Sequence, residues 1–212
     1  MSQSTGINKQ TSESTKPSLP NPEDTKREKE TTYIDTVLEV NDNEFVGKER
    51  LRTQIDEQLK EFETWYANGK WLDFHNHHYD WWMFPIDEIS SRGKAYCLPP
   101  DVLNELKQDK NFVDKLRRGV KLMVSSWGWD IDACRNFDKD KRADKQKWSY
   151  WPVRLYKAGK CMWLFGQNDY YKSLRQLAEY IRDKDKEKLD YFSHTKNGKA
   201  NVIEQWDELE RC

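Results

Sequence analysis

The residues best equipped for chemistry stand in one short run, His75-Asn76-His77-His78-Tyr79-Asp80-Trp81-Trp82-Met83-Phe84-Pro85. It holds three of the chain's four histidines, and Asp73 and Asp80 add carboxylates beside them. Imidazoles and carboxylates are zinc ligands, but zinc needs three or four converging on one point. On a helix His77 and His78 point about 100° apart, and no His-x-x-x-His places two rings on one face. Metal binding is therefore not expected. The sequence has no Gly-x-Ser-x-Gly nucleophile turn, no Gly-x-Gly phosphate loop and no recognisable Cys–His pairing. No catalytic residue and no cofactor is assigned.

The same run reads well as a buried aromatic plug. Tyr79, Trp82 and Met83 share a face at helical spacing. The expectation is a short helix, capped by Asp73 or Asn76 and stopped by Pro85, because a proline pushes its predecessor out of the helical region. Its histidines are expected to be buried and hydrogen-bonded, holding the plug in place.

The second chemically informative stretch is 135–160. It carries Arg135, Lys139, Lys141, Arg142, Lys145, Lys147, Arg154, Lys157 and Lys160 against Asp138, Asp140 and Asp144, a surplus of six. The whole chain has a net charge of −1, so the remainder carries −7. Phe137, Trp148, Tyr150, Trp151 and Tyr156 interleave with the cations. Basic charge with aromatic rings suits phosphates and stacked bases. It equally suits an acidic peptide, through charge and cation–π contact. Arg154, Lys157 and Lys160 recur every three residues, which on a helix makes a slowly drifting stripe. The stripe is expected to be exposed, since three buried unpaired charges would be prohibitively costly. Arg154, Lys157, Lys160, Lys147, Trp148 and Trp151 are the candidate partner-binding residues.

These residues need elements to hold them. Leu51, Ile55, Leu59, Phe62 and Tyr66 predict a helix from Gly47 to Asn68. Pro99-Pro100 opens another helix. Phe112, Leu116, Val120, Met123 and Trp127 predict a long one ending at Gly128. Asp130 to Lys147 reads as a surface loop. Pro152 starts the helix of the basic stripe, which Gly166 stops. Asn168 or Asp169 caps a helix faced by Leu174, Leu177, Ala178 and Ile181. Glu187–Phe192 and Val202–Leu209 read as two further short helices. The fold class is all-α, a single compact bundle of five to eight helices over 45–212.

Residues 1–30 hold only Met1, Ile7 and Leu19 as apolar side chains, and all ten tryptophans lie between Trp65 and Trp206. The first stretch is expected to be a disordered tail, and 31–44 an extended or helical lead-in. No apolar run reaches membrane-spanning length, and no secretory leader is visible at the N-terminus. The four cysteines lack Cys-x-x-Cys spacing and read as reduced thiols. A soluble, intracellular, cytoplasmic protein is the expectation.

His77-His78-Tyr79-Asp80-Trp81-Trp82-Met83-Phe84-Pro85-Ile86 resembles the His-x-Tyr-x-x-Trp-Leu-Phe-Pro-Leu signature of the opioid growth factor receptor conserved region. The matching positions are His77, Tyr79, Trp82, Phe84 and Pro85. Trp65-Tyr66-Ala67-Asn68, Leu122–Gly128, Arg154–Gly166 and Leu189-Asp190-Tyr191-Phe192 are similar to further blocks of the family, in the same order. The family's Pro-Gly after the signature is Ile89-Ser90 here. The resemblance spans about 65–192. It implies an α-helical fold, kinship with a receptor that binds an enkephalin peptide, and a nuclear or membrane association. The combined expectation is a non-enzymatic helical binding module for a peptide or protein partner. The alternatives are a nucleic-acid-associated protein using 135–160 and an enzyme with an unrecognised site.

Overall fold

A computed structural model describes residues 41–211. The tail expected over 1–30 and most of the lead-in lie outside that range. Eight α-helices and two small hairpins follow one another in the described residues. Helix α1 spans Lys48–Ala67, α2 Asp73–Asn76, α3 Asp80–Met83, α4 Pro100–Gln108 and α5 Lys110–Ser126. A hairpin of β1, Trp129–Asp130, and β2, Arg135–Asn136, precedes a 3-10 turn at Lys139–Lys141. Helix α6 spans Pro152–Leu164 and α7 Asn168–Asp183. A second hairpin, β3 Asp190–Ser193 and β4 Gly198–Asn201, leads into α8, Val202–Arg211. Both hairpins are antiparallel, with Trp129 opposite Asn136 and Tyr191 opposite Ala200. Helices α1 and α5 pack together, as do α6 and α7, and α8 closes on α6. This is the all-α bundle.

The buried line of α1 runs Leu51, Ile55, Gln58, Phe62 and Trp65, not through Leu59 and Tyr66. Trp65 wins the inward place because its ring packs with Phe62 at 5.5 Å and Phe74 at 5.2 Å. Gln58 can be buried because its Oε1 accepts from Trp82 Nε1 at 3.2 Å, satisfying both polar groups. Tyr66 is left 40 % exposed. Helix α5 starts where Asp109 accepts from the Phe112 backbone N–H at 3.0 Å, a side-chain cap.

Two glycines allow helix α6 and helix α5 to be approached closely. A Cβ at Gly159 would lie 2.2 Å from Trp206 Cζ2, and one at Gly119 2.2 Å from Met83 Cε. So the fully buried Trp206 ring lies directly on the α6 backbone, and the signature's Met83 on α5.

Three expectations are corrected. The signature does not form one helix capped by Asp73 or Asn76. It forms two single turns, α2 and α3, with His77 extended between them. Residues 187–192 are not helical: Lys186 takes φ 57°, and Asp190–Ser193 pair with Gly198–Asn201. Alternation fits this, because Tyr191 stacks on Tyr156 at 4.9 Å while Phe192 is exposed. The segment 130–147 is more than a loop. Gln146 is buried and donates to the Ser125 carbonyl at 2.8 Å, which pins the segment to the end of α5.

Candidate functional site

The basic stripe is not exposed. Arg154 is 0 % exposed, Lys157 6 % and Lys160 5 %. Burial is tolerable because each cation has partners from the signature stretch. Arg154 Nη1 donates to the Phe74 carbonyl at 2.6 Å, and Nη2 to the His77 carbonyl at 2.6 Å. Its guanidinium lies between the rings of Tyr79, 4.5 Å away, and Trp151, 4.3 Å away. Lys157 pairs with Asp80 at 2.7 Å. Lys160 pairs with Asp87 at 2.7 Å and with Glu88. Tyr156 also donates to Glu88, at 2.8 Å. The expectation of a solvated face overlooked that the plug supplies carbonyls and carboxylates to this side of α6.

This network also explains the broken signature helix. A continuous helix would use the Phe74 and His77 carbonyls for its own i+4 bonds. Here the planar fork of Arg154 takes them. Tyr79 completes the arrangement by donating to Phe74 O at 2.7 Å. Burial pushes its hydroxyl up to about 12, with Arg154 acting against the shift. Burial would push the Asp80 carboxyl up as well, but Lys157 and Arg154 outweigh it and hold the group below its usual range.

The structural signature residues separate. Tyr79, Trp82, Phe84 and Pro85 are buried, whereas His77 is exposed. The expectation of buried histidines is corrected. His77 and His78 are exposed and His75 is half-buried. His77 packs its ring on Trp65 at 4.8 Å, with Nδ1 2.9 Å from the Asp73 carbonyl. His75 Nδ1 accepts from Trp151 Nε1 at 2.6 Å. Among the described residues no cluster of three or more His, Cys, Asp or Glu could hold a metal ion. Cys97, Cys134 and Cys161 are free, and burial raises the thiols of Cys97 and Cys161.

Of the other candidate binding residues, Trp148 meets Trp127 edge-on at 4.7 Å and donates to Glu187 at 2.6 Å. It anchors the segment before α6. Lys147 is exposed, and Trp151 is half-buried over Arg154.

Sequence reasoning missed a hollow on the surface. A cleft of about 500 Å³ lies between the C-terminal end of α1 and the 130–146 segment, lined by Tyr66, Trp71, Arg135, Asn136 and Phe137 among others. Tyr66 and Phe137 also line an adjoining hollow of about 480 Å³, and Trp71 a third of about 340 Å³. Together these make a groove. Trp71 meets Tyr66 edge-on at 5.5 Å. Trp71 Nε1 and Asn136 Nδ2 are buried without a hydrogen-bond partner. The signal for the groove was Tyr66 in the Trp65-Tyr66-Ala67-Asn68 block, which the helical pattern had assigned to the core.

No helix among the described residues is long and apolar enough to cross a membrane. No curated protein and no solved structure matches the chain. The opioid growth factor receptor (OGFr) conserved region matches residues 41–199, three-quarters of the chain and all of the Arg154–signature network, and the chain belongs to that family.

Proposed function

We propose that the chain is a non-enzymatic binding module for a peptide or protein partner, and that the partner's chain lies in the groove edged by Tyr66, Trp71 and Phe137. One observation carries the reading. Tyr66, Trp71 and Phe137, three aromatic side chains left exposed or half-buried, wall one cleft of about 500 Å³ together with Asp130, Arg135 and Asn136. Aromatic walls beside polar side chains suit the apolar side chains and backbone of an extended peptide. The family takes its name from a peptide's receptor, which agrees with the reading.

The nucleic-acid alternative loses ground. Three of the nine cations of 135–160 are spent on Asp80, Asp87, Glu88 and backbone carbonyls. Six remain against three acids, a surplus of three spread over the exposed segment. Phosphate binding draws its strength from many such contacts.

The test is capture from a cell extract by the full immobilised chain. The expected partner is a protein that survives nuclease treatment and is lost from the Trp71→Ala and Tyr66→Ala variants. Capture that nuclease abolishes, or that both variants retain, would overturn the proposal.

A further inference from the structure

The groove has an order along its length. Tyr66 and Phe137 line both the hollow of about 500 Å³ and that of about 480 Å³. Trp71 lines the first of these and the hollow of about 340 Å³. The hollow of about 500 Å³ is therefore the middle one, with aromatic rings at both of its ends. The ring centres of Tyr66 and Trp71 stand 5.5 Å apart with planes at 83°, so the two make one aromatic wall. Phe137 belongs to the other side of the cleft. Tyr66 is exposed, and Trp71 and Phe137 are half-buried, so all three rings can be reached.

The charge along the groove sums to zero. Five basic side chains and five aspartates line the three hollows. Lys121 pairs with Asp132, and Lys141 with Asp138 at 3.4 Å. Asp130 accepts from the backbone N–H groups of Asp132 and Ala133, both at 3.1 Å. A balanced lining has no net attraction for a strand of phosphates, nor for a strongly acidic or basic segment. The complement of such a groove is a segment without charge.

We infer that the groove takes an uncharged, proline-rich segment of a protein partner, held as a polyproline II helix. The inference rests on the groove as the binding site and names what fills it. Aromatic-lined grooves are the common seat of this conformation. Proline brings no backbone N–H, which suits walls made of rings. A polyproline II helix has no internal hydrogen bonds, so its carbonyls stay free to accept. Tyr66 and Arg135, both exposed and both lining the middle hollow, are the donors on hand. The helix rises about 3.1 Å per residue, so two residues advance about 6 Å. That is the scale of the 5.5 Å between Tyr66 and Trp71. Because the conformation is set before binding, little is lost in ordering the segment.

The experiment measures fluorescence anisotropy of a labelled peptide of repeating Pro-Pro-Leu with the full chain. Peptides of Ala-Ala-Leu, Pro-Pro-Glu and Pro-Pro-Lys and oligothymidylate serve as comparisons. The Pro-Pro-Leu peptide should bind about tenfold more tightly than Ala-Ala-Leu, and neither charged peptide should exceed it. Its affinity should stay nearly unchanged between about 0.05 and about 0.5 M salt. Trp71→Ala and Tyr66→Ala should each weaken it about tenfold or more while the melt stays cooperative. Tyr66→Ala, at an exposed ring, carries the test if Trp71→Ala does not fold. Equal or tighter binding of Ala-Ala-Leu, lost in the same variants, would overturn the inference and leave the groove as the binding site. A charged peptide or oligothymidylate bound more tightly would overturn it as well, and so would a dimer of the chain that Tyr66→Ala dissociates. Pro-Pro-Leu binding that survives both variants, or no peptide binding at all, would also overturn it. Capture from the extract then decides separately whether the groove binds another kind of chain.

Discussion

Arg154 and Tyr79 share one acceptor. The Arg154 guanidinium and the Tyr79 hydroxyl both donate to the backbone oxygen of Phe74, at 2.6 and 2.7 Å. The cation also lies 4.5 Å from the centre of the Tyr79 ring. One buried side chain of α6 therefore fixes the turn, the ring and the extended link of the signature together.

Arg154 should be irreplaceable even by another cation. Removing it leaves the His77 carbonyl without its Arg154 donor and the Phe74 carbonyl with Tyr79 alone, and breaking such a buried charged network costs roughly 3–5 kcal/mol. Lysine has no planar fork to span both oxygens. Urea unfolding should show Arg154→Met and Arg154→Lys both strongly destabilised. A lysine variant of near-normal stability would mean that only the charge matters.

Trp82 should behave as core. It is 6 % exposed and bonded to Gln58. Truncation of a buried tryptophan costs roughly 3–5 kcal/mol, a large part of a typical total of about 5–15 kcal/mol. Trp82→Ala should melt early or aggregate. A variant with unchanged melting temperature and a lost partner would instead make Trp82 a contact residue.

Gly159 should tolerate no side chain. An added methyl would strike the Trp206 ring, which is fully buried and donates to Tyr156 O at 3.3 Å. Overpacking of this kind costs about 1–3 kcal/mol, whereas an exposed helical glycine gains from the same change. Thermal melts of Gly159→Ala decide between the two by their sign.

Acid should loosen the Trp151 contact before it unfolds the core. Burial, and then Arg154, lower the His75 imidazole from 6.5. The folded chain thus holds fewer protons there than the unfolded one. His75's contribution is present above about pH 6.5 and fades as pH falls from there through its lower folded value. The depressed Asp80 carboxyl contributes above 3.8 and loses its share only as pH falls toward its lower folded value. Denaturation measured between pH 8 and 5 should show stability falling with pH, with Trp151 fluorescence responding in step. A His75→Gln variant should flatten the slope, because its amide oxygen accepts from Trp151 at any pH. An identical slope in that variant would mean that His75 does not set this pH dependence.

The sequence made the long elements readable where apolar periodicity was strong. Helix α1 begins at its predicted Gly47, α6 runs from its predicted Pro152 and stops before Gly166, and α5 ends next to its predicted Gly128, while α7 starts one residue before its predicted caps, with Gln167 at the N-cap. Single-sequence periodicity failed where a long-range partner decided the outcome. It could not show that Arg154 would take the backbone oxygens of a stretch some 80 residues earlier, so it placed that side chain in solvent and closed the signature into one helix. It put Tyr66 in the core because Trp65's neighbours, Phe74 and Tyr79, come from beyond Gly69. The groove was invisible for the same reason, being made by two segments that only the fold brings together. The identity of the signature itself was legible, because His77, Tyr79, Trp82, Phe84 and Pro85 stand at fixed spacing in the chain.

The cations of α6, Arg154, Lys157 and Lys160, are interior structure and not a solvated face. Lysine acetylation under native conditions, read site by site by mass spectrometry, tests that placement. Lys157 and Lys160 should stay unmodified while Lys139, Lys145 and Lys147 are acetylated, and all five should react once the chain is unfolded in urea. Native labelling of Lys157 and Lys160 at the rate of Lys147 would contradict the claim and return the stripe to the surface.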